Sequence, residues 1–278
     1  MLLSDLLYQY LTEHPYGVSV TYSRQLRVSI QAWERFAGRA LTIDDFTDAG
    51  LNAYLDWLAG NRSHDTLRTR RGNLLILWNY AFREEIVDIA PRRVRRLRPV
   101  DRQPVAWTLE EVRSLIAAAE ELPGCLWGTS RRRSVWWSSL IRTGYDTGLR
   151  RGDLLSLRAE DVRPDMCITQ HKTRRLVRVR IRPATLAMID QTLADEPRNV
   201  VWRLWCGEET FLQRFRELVR AAGIRPGTFK WLRRAAATQL ERVEPGRSTE
   251  LLGHQSRSTT EAWYIDRGQL GTPPLPPM

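Results

Sequence analysis

Only one stretch of this 278-residue chain alternates with the period of two that a half-buried strand requires. It is Met166–Thr169 followed by Val177-Arg-Val-Arg-Ile181, where apolar and basic residues take turns. Two such runs predict a β-hairpin, with His171-Lys172-Thr173 at or near its turn. Nearly everything else repeats at helical spacing. The expected fold class is therefore mainly α with a small antiparallel β-sheet.

The helical pattern falls into two parts. Up to about Ile89 the predicted helices are Leu2–His14, Val18–Phe36, Asp48–Leu58 and Asp65–Glu85, with Asp48 as an N-cap and Gly60 as a stop. Four short helices rich in Arg and Tyr make a compact bundle, a common form of DNA-binding module. The second part opens on Thr108-Leu-Glu-Glu111, whose Thr and Glu stand at capping-box spacing, and its helix should run to Leu122. A further helix is expected over Ser134–Thr147, and helices again from Pro183 to Tyr264. Eleven tryptophans, several at helical spacing, read as core. The domain reading is 1–98 for a helical N-terminal domain, 99–107 for a linker and 108–278 for a second domain. The ending Thr272-Pro-Pro-Leu-Pro-Pro-Met278 reads as a short extended tail, with a PxxP contact as the less ordinary option.

Charge narrows the class of partner. The formal net charge is +11, which favours a polyanion such as nucleic acid. Arg92, Arg93, Arg95, Arg96, Arg98 and Arg102 crowd one segment that also holds Pro91, Pro99 and Pro104. It reads as extended chain between domains, lying against phosphates; a solvated basic loop is the plainer alternative. No apolar run approaches a membrane span, and the acidic N-terminus does not read as a signal peptide. Cys125, Cys167 and Cys206 form no CxxC pair, which fits a reducing cytoplasm without disulfides or a zinc site.

Phosphoryl transfer without a metal needs fixed cations around the phosphate, a nucleophile and an acid for the leaving oxygen. The sequence has no acidic cluster at metal-ligand spacing, and its four histidines form no ligand pair, so no cofactor is expected. Chemistry by fixed cations is the kind to look for.

Three segments supply those groups in order. They are Thr147-Gly-Leu-Arg-Arg-Gly-Asp-Leu-Leu-Ser-Leu157, Lys230-Trp-Leu-Arg-Arg-Ala-Ala-Ala-Thr238 and Leu251-Leu-Gly-His-Gln-Ser-Arg-Ser-Thr-Thr-Glu-Ala-Trp-Tyr264, with the hairpin lysine between the first two. Together they resemble the conserved boxes of the tyrosine recombinases, the phage-integrase family. The N-terminal bundle is similar to that family's core-binding domain in size and helical character alone. The resemblance implies that Arg150 and Arg233 clamp a scissile phosphate, since a guanidinium can donate two hydrogen bonds to one phosphate. It implies that Lys172 protonates the departing 5′ oxygen, and that Lys230 assists proton transfer or binds the phosphate. His254 would hydrogen-bond the phosphate, with Asp153 supporting the site. Tyr264 would attack phosphorus, leaving a 3′-phosphotyrosine, with no metal or ATP. The implied protein is a site-specific recombinase of double-stranded DNA, cytoplasmic, its domains closing on the duplex as a C-shaped clamp. It would be a monomer or dimer when free and a homo-tetramer on two sites. The short N-terminal part leaves no room for a further arm-type DNA-binding domain.

The chain holds 41 arginines and two lysines, and the two are Lys172 and Lys230. Arginine cannot readily release a proton, whereas an ammonium can be tuned to do so, which gives chemistry a reason to keep lysine there. Two features depart from the family pattern. Lys230 stands where histidine is commoner, and Tyr264 lies ten residues after His254 where nine is commonest, which would put Trp263 at the nucleophile position. An extra residue near Arg257 would reconcile the second. Each residue also has an ordinary use: Arg150 and Arg233 in caps or ion pairs, His254 after a glycine-stopped helix, Tyr264 as a half-buried aromatic, Tyr145 in the core. The competing functions are a type IB topoisomerase-like relaxation of DNA and a non-catalytic DNA-binding regulator derived from a recombinase.

Overall fold

The computed structural model describes residues 1–14, 18–100 and 103–271. It divides into two compact units, Met1–Asp101 and Arg102–Met278. The fold is mostly helical with one small antiparallel sheet. No described helix is long and apolar enough to cross a membrane.

The first unit is built from α1 (Leu3–Glu13), α2 (Val20–Ala37), α3 (Asp48–Ala59) and α4 (His64–Arg83). Ser19 and Ser63 cap α2 and α4 by accepting from the backbone N–H groups of Tyr22 (3.2 Å) and Thr66 (3.4 Å). For α3 the cap is Thr47, which accepts from Gly50 N at 3.0 Å, and Asp48 is the first helical residue. The N-cap expected at Asp48 is thus displaced by one position. A hydroxyl can serve there as well as a carboxylate, and Asp48 still places its charge at the positive helix end. Leu6, Leu26, Trp33, Leu51, Tyr54, Leu74 and Trp78 fill the core, with Phe46 stacked on Trp78 at 5.5 Å.

The basic segment after α4 belongs to this unit. Val94 is buried in its core and Leu97 packs on it. Arg92 N donates to Asp48, Asn52 exchanges hydrogen bonds with Arg93 O and Arg95 N, and Arg71 donates to Arg95 O. The main chain of residues 92–95 is thus tied to α3 and α4. The side chains of Arg92, Arg93, Arg95, Arg96 and Arg98 remain exposed, and Arg95 also pairs with Asp56. Arg102 lies outside the described residues, as does the Pro-rich ending Thr272–Met278.

The second unit takes up the chain at residues 105–107. Ala106 N donates to Asp266 at 2.9 Å, and the buried Trp107 donates to Arg225 O at 2.8 Å. The following helix α5 (Leu109–Glu120) starts on the expected capping box, Thr108 and Glu111 each accepting the other's N–H, at 3.2 and 2.7 Å. It stops two residues before the expected Leu122. Next come α6 (Arg133–Thr147), α7 (Arg151–Leu155), β1 (Asp165–Thr169), β2 (Leu176–Arg180), α8 (Pro183–Asp195), α9 (Glu208–Ala221), α10 (Phe229–Val243), α11 (Ser248–Leu252), α12 (Arg257–Trp263) and α13 (Arg267–Leu270). The hairpin pairs Met166 with Val179 and Ile168 with Val177, turning Met166, Val177 and Val179 into the core and leaving Arg178 and Arg180 outside.

The core of this unit is aromatic. Trp107, Trp136, Trp137, Trp202, Phe211, Phe215 and Phe229 are all buried. Phe215 stacks on Phe229 at 4.1 Å and Trp137 on Phe211 at 5.2 Å. Such pairs add about 0.5–1.5 kcal/mol each beyond their burial. The tryptophans are thus chiefly structural, with Trp57, Trp127 and Trp263 as the exposed ones. α10 runs through the middle of this packing, against α5, α6 and α11, and so carries a polar face into a rigid surround.

Candidate active site

Local chemistry places each polar group. α6 ends on Gly148, whose φ of 59° is left-handed, and the chain turns sharply there. Arg150 follows as the N-cap residue of α7, its side chain free of the helix and hydrogen-bonded to Gln170 Oε1. Arg233 projects from α10 and is only 3% exposed. It donates to the freed carbonyls at two helix ends, Gly148 O and, at 2.9 Å, Leu252 O. Carbonyls left over by α6 and α11 thus orient a buried guanidinium. Its Nε has no partner among the described residues. Burial, with Arg150 nearby, lowers the Arg233 pKa to about 10, so it stays cationic at neutral pH.

Gly253 closes the arrangement. Its φ of 63° is left-handed, and a Cβ there would lie 2.2 Å from Val177 Cγ1 and 3.2 Å from Gln170 Nε2. Only glycine lets α11 end against β2. His254 therefore emerges beside Arg233, with Nε2 at 3.3 Å from the guanidinium and Nδ1 at 2.9 Å from Thr260 Oγ1. Burial first, then Arg233, Arg150 and Arg175, push the imidazole pKa down to about 4, so the ring is neutral.

Tyr264 follows α12 and reaches the same place. Its ring lies 4.7 Å from that of His254, 5.1 Å from the Arg233 guanidinium carbon and 5.8 Å from Lys230 Nζ. Burial would raise the phenol pKa, but Arg233, Arg150 and Lys230 together outweigh it and bring it below 10. Trp263 is half exposed, with Lys230 Nζ 5.7 Å from its ring. The ten-residue spacing from His254 thus brings the tyrosine, rather than the tryptophan, beside the buried Arg233. Lys230, in the first turn of α10, has its pKa lowered by burial, then by Arg234 and Lys172. Lys172 stands exposed between β1 and β2 as expected, close enough to act on Lys230.

Asp153, on α7, is 3% exposed and holds the hairpin end. Its Oδ1 accepts from His171 N at 2.9 Å and lies 3.2 Å from His171 Nδ1. The carboxylate thereby fixes the residue next to Lys172. Tyr145 stays in the core, with Arg182 over its ring.

The model of the phage integrase family matches residues 107–269, more than half of the chain. The chain belongs to the phage integrase family, the tyrosine recombinases. Among solved structures, a lambda integrase dimer bound to a COC′ core site is similar with a TM-score of 0.76 at 20% identity, over 99% of this chain and 80% of that one. XerH site-specific recombinase bound to difH substrate gives 0.69 at 15% identity, over 96% and 83%. The Tn1549 transposon integrase in complex with transposon right-end DNA gives 0.70 at 12%, over 94% and 93%. At these identities the likeness is one of fold. Comparison with curated protein sequences gave no match.

Two polar residues of this integrase-family chain escaped the sequence reading. Gln170 is fully buried, accepts from Arg150 and from Thr173 Oγ1 at 2.8 Å, and donates to Leu252 O at 3.1 Å. Thr260 is fully buried against His254. A glutamine adjoining the His-Lys turn was the one available signal for the first; nothing local marks the second.

Proposed function

We propose that this protein is a site-specific DNA recombinase that cuts and rejoins strands through a 3′-phosphotyrosine at Tyr264. The observation that carries the reading is the position of the Tyr264 phenol beside Arg233, Arg150 and Lys230, with its pKa held below 10. Arg150 and Arg233 bind the scissile phosphate and offset the charge that grows on its oxygens. Tyr264 Oη forms a bond to phosphorus as its proton leaves, and the bond from phosphorus to the 5′ oxygen breaks. Lys172 delivers a proton to that oxygen. Lys230, whose ammonium is made more acidic by its surroundings, assists the proton movements. Asp153 holds the hairpin end, and His254 sits against the phosphate-binding arginine. Attack by another strand's 5′ hydroxyl reverses the step, so the bond energy is kept without ATP.

Double-stranded DNA is the partner, and four copies act together on two sites. The exposed arginines of residues 92–98 track the duplex backbone. The similar structures support this reading, since in them lambda integrase is bound as a dimer to a core site and as a tetramer to a Holliday junction.

The test is covalent trapping on nicked suicide substrates drawn from DNA flanking the gene, in metal-free buffer. An adduct on denaturing gels that vanishes with Tyr264→Phe and weakens with Lys172→Ala supports the reading. Specific binding without an adduct would make the chain a DNA-binding regulator. Relaxation of a plasmid lacking any cognate site would make it topoisomerase-like.

A further inference from the structure

We propose that Gln170 is a positioning residue of this site, its buried amide holding Arg150 and, through the Leu252 carbonyl, Arg233 as one fixed pair. The inference rests on the recombinase reading for its kinetic consequence, though not for its structural one.

A guanidinium has donors and no acceptor, and a main-chain carbonyl only accepts. A primary amide set between the two can therefore face one way alone. Gln170 Oε1 accepts from Arg150 Nη1, and Nε2 donates to Leu252 O at 3.1 Å. The same Leu252 carbonyl accepts from Arg233 Nη2 at 2.9 Å. The two arginines are thus joined through one amide and one carbonyl. Arg150 uses one N–H there, and the rest of its fork remains for a phosphate.

Burial makes the link exacting. Gln170 is fully buried, so no water stands in for a missing partner. Thr173 Oγ1 donates to the same Oε1 at 2.8 Å. The main chain of Gln170 also closes the loop that carries Lys172. Its N–H donates to Arg175 O and its carbonyl accepts from Arg174 N, each at 2.8 Å. One residue therefore sets the arginine pair with its side chain and the base of the lysine loop with its main chain. A carboxylate there would keep the acceptor and lose the donor; methionine, of similar length, supplies neither. The Tyr264 phenol is faced by Arg233, Lys230 and Arg234 of α10, by Arg150 and by the His254 ring. Without the amide, Arg150 is free to turn away from that group.

The experiment compares the full chain with Gln170→Met and Arg150→Ala. On nicked substrates Gln170→Met should form adduct about tenfold more slowly or worse. DNA binding, which rests on many phosphates, should stay within about twofold of the parent. The pH midpoint of adduct formation should move up, as in Arg150→Ala, because the phenol loses a nearby cation. A rate lost at an unchanged midpoint would make Gln170 merely structural and overturns the proposal, as does an unchanged rate. In ¹⁵N–¹H spectra of the free parent, the Gln170 side-chain amide protons should exchange at least about tenfold more slowly than those of the exposed Gln31 and Gln255. Arg150→Ala should speed that exchange. Fast exchange in the parent, or exchange indifferent to Arg150, overturns the proposal even if the methionine variant does not fold. If the parent makes no adduct on DNA that it binds, the recombinase reading fails while the exchange result still judges Gln170.

Discussion

His254 shares its surroundings with Arg233, Arg150 and Arg175, and the imidazole there resists a proton down to about pH 4. In the unfolded chain the same group titrates near 6.5, so the unfolded state takes up its proton first as acid is added. The stability due to the neutral ring is complete above pH 6.5 and is lost as the pH falls from there toward 4. We expect melting temperatures to decline over this window, and to decline less in His254→Asn; parallel curves for the two proteins would count against it. The phenol pKa of Tyr264 is lowered by Arg233 and Arg150 too, there against the effect of burial. Adduct formation should rise with pH through a midpoint below 10, and Arg150→Ala should shift that midpoint upward as one of the phenolate's supporting charges is removed. A midpoint insensitive to Arg150 would show that the two do not interact. Neither environment can be read from neighbours in sequence. The Leu252 carbonyl that accepts from Gln170 is 82 residues away, and the Gly148 carbonyl that accepts from Arg233 is 85 away.

At the scale of elements, the hairpin and most helices were legible, because periodicity is a local property and burial follows it. The capping box at Thr108 was legible for the same reason, and Thr108→Ala should cost about 1 kcal/mol in chemical denaturation. The cap of α3 moved by one residue to Thr47, since Thr and Asp compete on nearly equal terms and side-chain preference alone does not choose between them. The junction between α11 and β2 is tighter than any pattern discloses. Gly253→Ala should destabilise by about 2 kcal/mol or more, as it forces a left-handed φ on alanine and a methyl into Val177. Equilibrium unfolding will check this; a loss under about 0.5 kcal/mol would mean that β2 yields.

For the whole molecule the dominant quantity is charge. With +11 overall and five exposed arginines on residues 92–98, binding to DNA should weaken steeply with salt. Replacing Arg92, Arg93, Arg96 or Arg98 by glutamine should lower the slope of log K against log salt by about one for each phosphate contact removed. An unchanged slope in all four variants would place the duplex elsewhere. The division into two units was suggested by composition. How the basic stretch is fastened to the first unit was not, because its anchors, Asp48, Asn52 and Arg71, lie 23–44 residues upstream.

The scarcity of lysine has a practical corollary. Apart from the terminal amine, the chain's ε-amino groups are those of Lys172 and Lys230, which sit near enough to feel each other's charge. Reagents that modify amines, ordinarily indiscriminate on a basic protein, become site-directed here. Reductive ¹³C-methylation would label these two side chains, Lys230 at 5.8 Å from the Tyr264 ring, and leave 41 guanidinium groups untouched.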